Sequence, residues 1–124
     1  MPPPRSPLSR SQDAETIETP WGTLSWRVSR ALGNSATMTF GRALIRAGCE
    51  NPRHRHPNCD EILHVVSGTI EHSLGVERFL MGPGDTISIP ADVWHNARAI
   101  GDDEAITIIC FSSADRETEW EAAR

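Results

Sequence analysis

From Pro20 to Phe111 the chain is punctuated at short intervals by residues that turn a backbone. Gly33-Asn34, Gly48, Ser67-Gly68, Gly75, Gly82-Pro83-Gly84-Asp85, Pro90-Ala91-Asp92 and Gly101-Asp102-Asp103-Glu104 come roughly every 8–12 residues, the rhythm of all-β sandwiches and barrels. No stretch before Ser112 holds a helical period for long enough to make a helix of ordinary length. Between the turns lie runs with strand character: residues 21–28, 37–47, 54–56, 61–67, 69–74, 76–81, 86–89, 93–99 and 105–111. In the first, Leu24, Trp26 and Val28 share one face. In the second, Met38, Phe40, Arg42, Leu44 and Arg46 share one face and Thr39, Gly41, Ala43, Ile45 and Ala47 the other, with Gly41 a candidate bulge. About nine strands are expected, closing into a two-sheet barrel that leaves few exposed edges.

A chain of 124 residues is the size of one domain. Residues 1–18 are rich in proline, serine, arginine and acidic residues, bury too little to offset their ordering entropy, and read as a flexible tail ahead of a domain at 19–124. Residues 112–121 can form one short helix, capped by Ser112 or Ser113. The net charge of −5 gives no basic footprint for nucleic acid. No apolar run approaches a membrane span, and the first residues lack the apolar core of a secretory signal, so the protein reads as cytoplasmic. All twelve basic residues are arginine and there is no tyrosine. A lysine Schiff base and a phenolic acid or base are therefore excluded.

The chemistry concentrates around two histidines. His54 and His56 lie two apart, so on an extended segment both rings point to one side. Glu61 opens the next apolar run and can bring an oxygen to the same point if the two segments pair. His95, after the turn at 90–92, is a fourth candidate. Imidazoles with a carboxylate suit transition metals rather than Mg or Ca. Cys49 and Cys59 flank the pair; a bridge between them or a thiolate ligand is the alternative, and Cys110 reads as a small buried hydrophobe. His64 lies three residues from Glu61 and faces the other way. His72 can approach the pocket rim and is a weak candidate for a catalytic base. Asp60 and Arg55 point away from the ligands.

The spacing Gly48, five residues, His54, one residue, His56, four residues, Glu61, six residues, Gly68 resembles the first motif of the cupin superfamily without a gap. Gly84, Pro90 and His95 resemble its second motif, with Asp92 where the family usually has glycine and Ala99 where it often has asparagine. The resemblance covers roughly residues 48–99 and, with no internal repeat, is to the small single-domain cupins of type 2. It implies an all-β jelly-roll barrel of two antiparallel sheets, one divalent transition metal per chain on His54, His56, Glu61 and His95, and often homodimers. Fe(II) or Mn(II) is favoured, with Ni or Zn compatible. Trp21, Trp26 and Ile17 are candidates for an interface, and the two tryptophans equally for the core.

Four protein ligands on an octahedral ion leave positions for water, dioxygen or a bidentate substrate. A small oxygenated substrate is expected, bound by Met38, Phe40 and Arg42 with Trp94 across from them, although either face of strand 37–47 can look inward. Arg42 or Arg46 can supply counter-charge, or be solvated surface residues. Dioxygenase-type chemistry is the leading expectation. The alternatives are a redox-neutral isomerase, lyase or cyclase, with His72, Glu71 or metal-bound hydroxide as base, and a non-catalytic metal- or ligand-binding module.

Overall fold

The computed structural model describes residues 6–122. After a single 3₁₀ turn at Ser11–Asp13, the described chain forms strands β1 (Thr16–Glu18), β2 (Gly22–Val28), β3 (Thr39–Ile45), β4 (His54–Arg55), β5 (Glu61–Ser67), β6 (Thr69–Leu74), β7 (Glu77–Met81), β8 (Thr86–Ile89), β9 (His95–Ile100), β10 (Ala105–Phe111) and β11 (Glu119–Trp120). Every pairing between them is antiparallel. One sheet runs β1-β2-β3-β10-β5-β8 and the other β11-β4-β9-β6-β7, the two layers of a jelly roll. The turn residues act as expected: Gly68 takes φ 80°, and a Cβ there would stand 2.4 Å from the Glu104 carbonyl oxygen, so only glycine turns β5 into β6 at this place.

Alternation decides which side chains meet between the sheets. Along β10, Ala105, Thr107, Ile109 and Phe111 are buried while their neighbours are half-buried. Ile45, Val65, Ile70 and Ile89 are almost completely enclosed, each removing enough apolar surface to favour folding by about 1.5–3 kcal/mol. The buried Thr107 hydroxyl donates to the Ala43 carbonyl, so it costs little. Gly41 marks a close approach: a Cβ there would lie 2.4 Å from Trp26 Cε3, and the register shift sits opposite it in β2, between Trp26 and Val28. No helix among the described residues is long and apolar enough to cross a membrane.

Three expectations need correction. Residues 1–5 lie outside the described part, but the expected loose tail contains β1, whose ladder to β2 supplies backbone partners without burying a side chain. The expected helix at 112–121 does not form. The same backbone groups are taken up elsewhere: Ser112 N donates to Asp60 O, Glu117 N to Asn58 Oδ1, and β11 pairs with β4. So short a segment has too little helical cooperativity to compete with those partners. In β3 it is Thr39, Gly41, Ala43 and Ile45 that face inward, while Phe40 and Arg42 are exposed, as is Met38 just before the strand.

Candidate metal centre

His54 enters the barrel from β4 and His95 from the start of β9, where the two residues are register partners. His56 follows one turn of the pleat later, and Glu61 is the first residue of β5. β4 and β5 do not pair. They belong to opposite sheets, and Glu61 crosses the interior from the wall facing the histidines. One ligand atom from each of His54, His56, Glu61 and His95 lies within 4.8 Å of all the others, and all four residues are buried. Glu61 Oε1 stands 3.1 Å from His95 Nε2 and 3.2 Å from His56 Nε2.

The opposite edge of each ring shows what the near edge is for. Nδ1 of His54 is 2.7 Å from the Pro52 carbonyl oxygen, that of His56 is 2.8 Å from Glu117 O, and that of His95 is 2.9 Å from Val93 O. A carbonyl only accepts, so each Nδ1 carries the proton and donates it. Each Nε2 is then left with a bare lone pair turned toward the carboxylate. His56 Nε2 is buried without a hydrogen-bond partner. Three lone pairs and an anion held this close repel unless a cation or an added proton lies among them. Carbonyl-oriented imidazoles are the arrangement that supports metal ligands. The donor set fits a divalent transition ion.

The electrostatics agree. Burial, then the neighbouring His95, lowers His54 from its ordinary 6.5 to about 4, so the ring is neutral near pH 7. Burial by itself would raise Glu61, but hydrogen bonding from and charge on His56 and His95 outweigh it and lower the carboxyl to about 2, a hold that requires a proton on those ring nitrogens or a cation in its place.

Beside this cluster lies a cavity of about 140 Å³. Its walls include Trp21, Leu24 and Trp26 from or next to β2, Ala43 and Ile45 from β3, Ile109 and Phe111 from β10, and His72 from β6. Trp21 and Trp26 thus belong to the interior, whereas Ile17 is exposed on β1. His72 is not at the rim but fully enclosed, stacked on His95 at 5.9 Å with 11° between the rings, and its Nδ1 has no partner. Burial, then His95, lowers it to about 4, so it too is neutral near pH 7.

The residues expected to bind substrate do not reach this space. Met38, Phe40 and Arg42 are on the outer surface because the small-residue face of β3 is the one that fits the interior. Trp94 lies outside as well, beneath the Arg55 guanidinium at 4.4 Å. Arg46 pairs with Glu18 on the surface. His64 faces away and bonds Thr86 Oγ1, and Asp60 holds the Ala91 amide. Cys49, Cys59 and Cys110 are free thiols. What the sequence reading missed is the segment from the end of β10 through β11: Arg116, Thr118 and Trp120 all line the cavity, and the Trp120 ring centroid lies 5.3 Å from that of His54. No local pattern marks these residues. They arrive through the pairing of β11 with β4.

Comparison with known proteins places this geometry. The chain is similar to oxalate decarboxylases of known structure: one from Bacillus subtilis, described for its Mn(II) centres (TM-score 0.82, 22% identity, 90% of this chain and 31% of that one), and one from Lactobacillus farciminis in complex with formate (0.81, 20%, 88% and 34%). At such identity the likeness is one of fold. In sequence it is 37% identical over 78 residues to the polyketide synthase CurC of Streptomyces cyaneus, covering 62% of this chain and 51% of that protein. It is 31% identical over 85 residues to germin-like protein 3-8 of Oryza sativa subsp. japonica, covering 64% and 38%. The chain therefore spans about half, or less, of the length of these relatives. The sequence model of the family described as the cupin domain matches residues 41–111, more than half of the chain and both halves of the histidine and glutamate cluster, and the chain belongs to that family.

Proposed function

We propose that this cupin is a metal-dependent enzyme acting on a small oxygenated organic substrate, with dioxygenase-type chemistry. The observation that carries the reading is the convergence of three Nε2 atoms, each opposite an Nδ1 that faces a backbone carbonyl, on one carboxylate at the wall of an interior cavity. A divalent ion on His54, His56, Glu61 and His95, Fe(II) or Mn(II) by preference, supplies a Lewis acid and a one-electron partner for dioxygen. The chain's own residues do the rest. Pro52, Glu117 and Val93 hold the rings through their carbonyls. Trp21, Trp26, Phe111 and Trp120 wall the cavity with aromatic surface and limit water.

A redox-neutral reading is favoured by one further observation. His72 is a neutral imidazole in the cavity wall with a free ring nitrogen, in a chain without tyrosine or lysine to serve as base. Similarity to a polyketide synthase points the same way. Dioxygen consumption separates the two. Fe(II)-loaded protein supplied with small diketones, keto acids or catechols should consume dioxygen in step with substrate loss. Undiminished turnover under argon would reject the dioxygenase reading in favour of the redox-neutral one.

A further inference from the structure

Arg116 forms no ion pair among the described residues; Glu61 acts on it only at longer range. Its guanidinium carbon lies 4.3 Å from the Trp26 ring centroid and 5.2 Å from that of Phe111, and Nη1 donates to Thr118 Oγ1 at 2.8 Å. Arg30, Arg46, Arg53, Arg55 and Arg78 each meet a carboxylate at the surface. Arg116 meets none within 4.0 Å among the described residues, although it lines the cavity. A guanidinium stays charged in a protein and offers a planar fork of N–H donors, which matches a carboxylate. Stacking on two rings fixes its orientation in advance.

We infer that Arg116 determines substrate charge: the cavity takes a small organic acid whose carboxylate pairs with this guanidinium while its remaining oxygens turn toward the His54, His56, Glu61 and His95 cluster. The inference deepens the function proposed above and rests on it for the ion. Charge supports it. Glu61 is the acid that lines the cavity, and it is committed to the cluster. A dication held there by neutral imidazoles and one carboxylate, beside Arg116, leaves the interior positive and without a counter-anion. Size sets the other limit. About 140 Å³ is close to the cavity of roughly 150 Å³ that accepts benzene, so the part of the ligand held inside has on the order of six or seven heavy atoms. The arginine's partner must therefore be part of the substrate itself.

Malonate and acetylacetone make a discriminating pair of probes. They have the same number of heavy atoms and both chelate through two oxygens, but malonate alone carries carboxylates. Trp21, Trp26 and Trp120 line the cavity, so binding can be followed by tryptophan fluorescence in Mn(II)-loaded and in metal-free protein. Arg116→Gln should weaken malonate by about tenfold or more, the scale of a lost charged hydrogen bond, and acetylacetone by less than about twofold. Mn(II) content should be unchanged, and Arg42→Ala on the outer surface should affect neither probe. Arg116→Lys keeps the stem and the charge and should lose less than Arg116→Gln; it decides the matter if the glutamine variant folds poorly. Equal malonate affinity in wild type and Arg116→Gln, equal loss of both probes, or a wild type that prefers acetylacetone would overturn the inference. Failure of the wild type to hold Mn(II) would instead remove the metal reading, and malonate binding by the metal-free protein would then judge Arg116 separately.

Discussion

Glu61 shows how much can depend on one side chain. It is 4% exposed, ionised, and placed 3.1 Å and 3.2 Å from two ring nitrogens whose far edges donate to backbone carbonyls. Glu61→Gln keeps the shape and removes the charge, so transition-metal content measured by elemental analysis should fall by tenfold or more. His56→Ala should do the same, while His64→Ala, on the other face of β5, should leave it unchanged. Even outer partners of metal ligands are worth about 10–100-fold in affinity, so a ligand itself should exceed that. Asp92 is instructive at the same scale. It occupies a position where glycine is usual in the family and still adopts φ 68°. Aspartate tolerates this region better than most residues. Here its amide donates to His56 O and its carboxylate pairs with Arg55 at 3.2 Å, so the turn ahead of His95 is kept. His54, His56 and Glu61 were readable because their spacing is local, and His95, 34 residues beyond Glu61, through the resemblance to the family's second motif. The distance between them was not.

The segment after β10 makes the corresponding point for elements. Its composition favours a helix, yet residues 112–120 cross the barrel mouth as a strap. Asn58 bonds Asp115 O and the Glu117 amide, and Arg30 pairs with Asp115. The strap places the Glu117 carbonyl on His56, Trp120 beside His54 and Arg116 over Trp26. Truncation after Asp115 should therefore weaken metal binding by about 10–100-fold, read by competition with a chelator, because His56 loses the group that sets its tautomer. Thermal stability should change less, since β11 contributes a ladder of two residues. The strands from β2 to β10 were legible within two residues because alternation and turn residues are local signals. The strap was not, because its partners at 54–60 lie some sixty residues away.

For the whole molecule, the buried cluster couples folding to pH. In the metal-free protein, His54 and His72 take up a proton only near pH 4, whereas in the unfolded chain they do so near 6.5. Between these values the unfolded state holds more protons, so stability falls as the pH falls. Glu61 adds to this lower down: the stability it lends is present above pH 4.5 and lost as the pH drops toward 2. Urea denaturation of metal-free protein should thus show a stability loss that begins below about pH 6.5 and continues to about pH 4. A saturating divalent metal should raise stability near neutral pH and steepen the decline, because protons and metal compete for the same nitrogens.

By itself the sequence determined that this chain is a two-sheet barrel and named the four residues that meet inside it: turn spacing, alternation and the His54, His56, Glu61 interval are written in neighbouring residues, and the resemblance to the second family motif added His95. Tertiary structure decided which face of β3 looks inward, that Glu61 reaches its histidines from the opposing wall, and that Arg116, not Arg42 or Arg46, stands in the cavity. The reason is physical. Which side chains fit between two sheets depends on the volume left by both, and that quantity exists only once the sheets have packed.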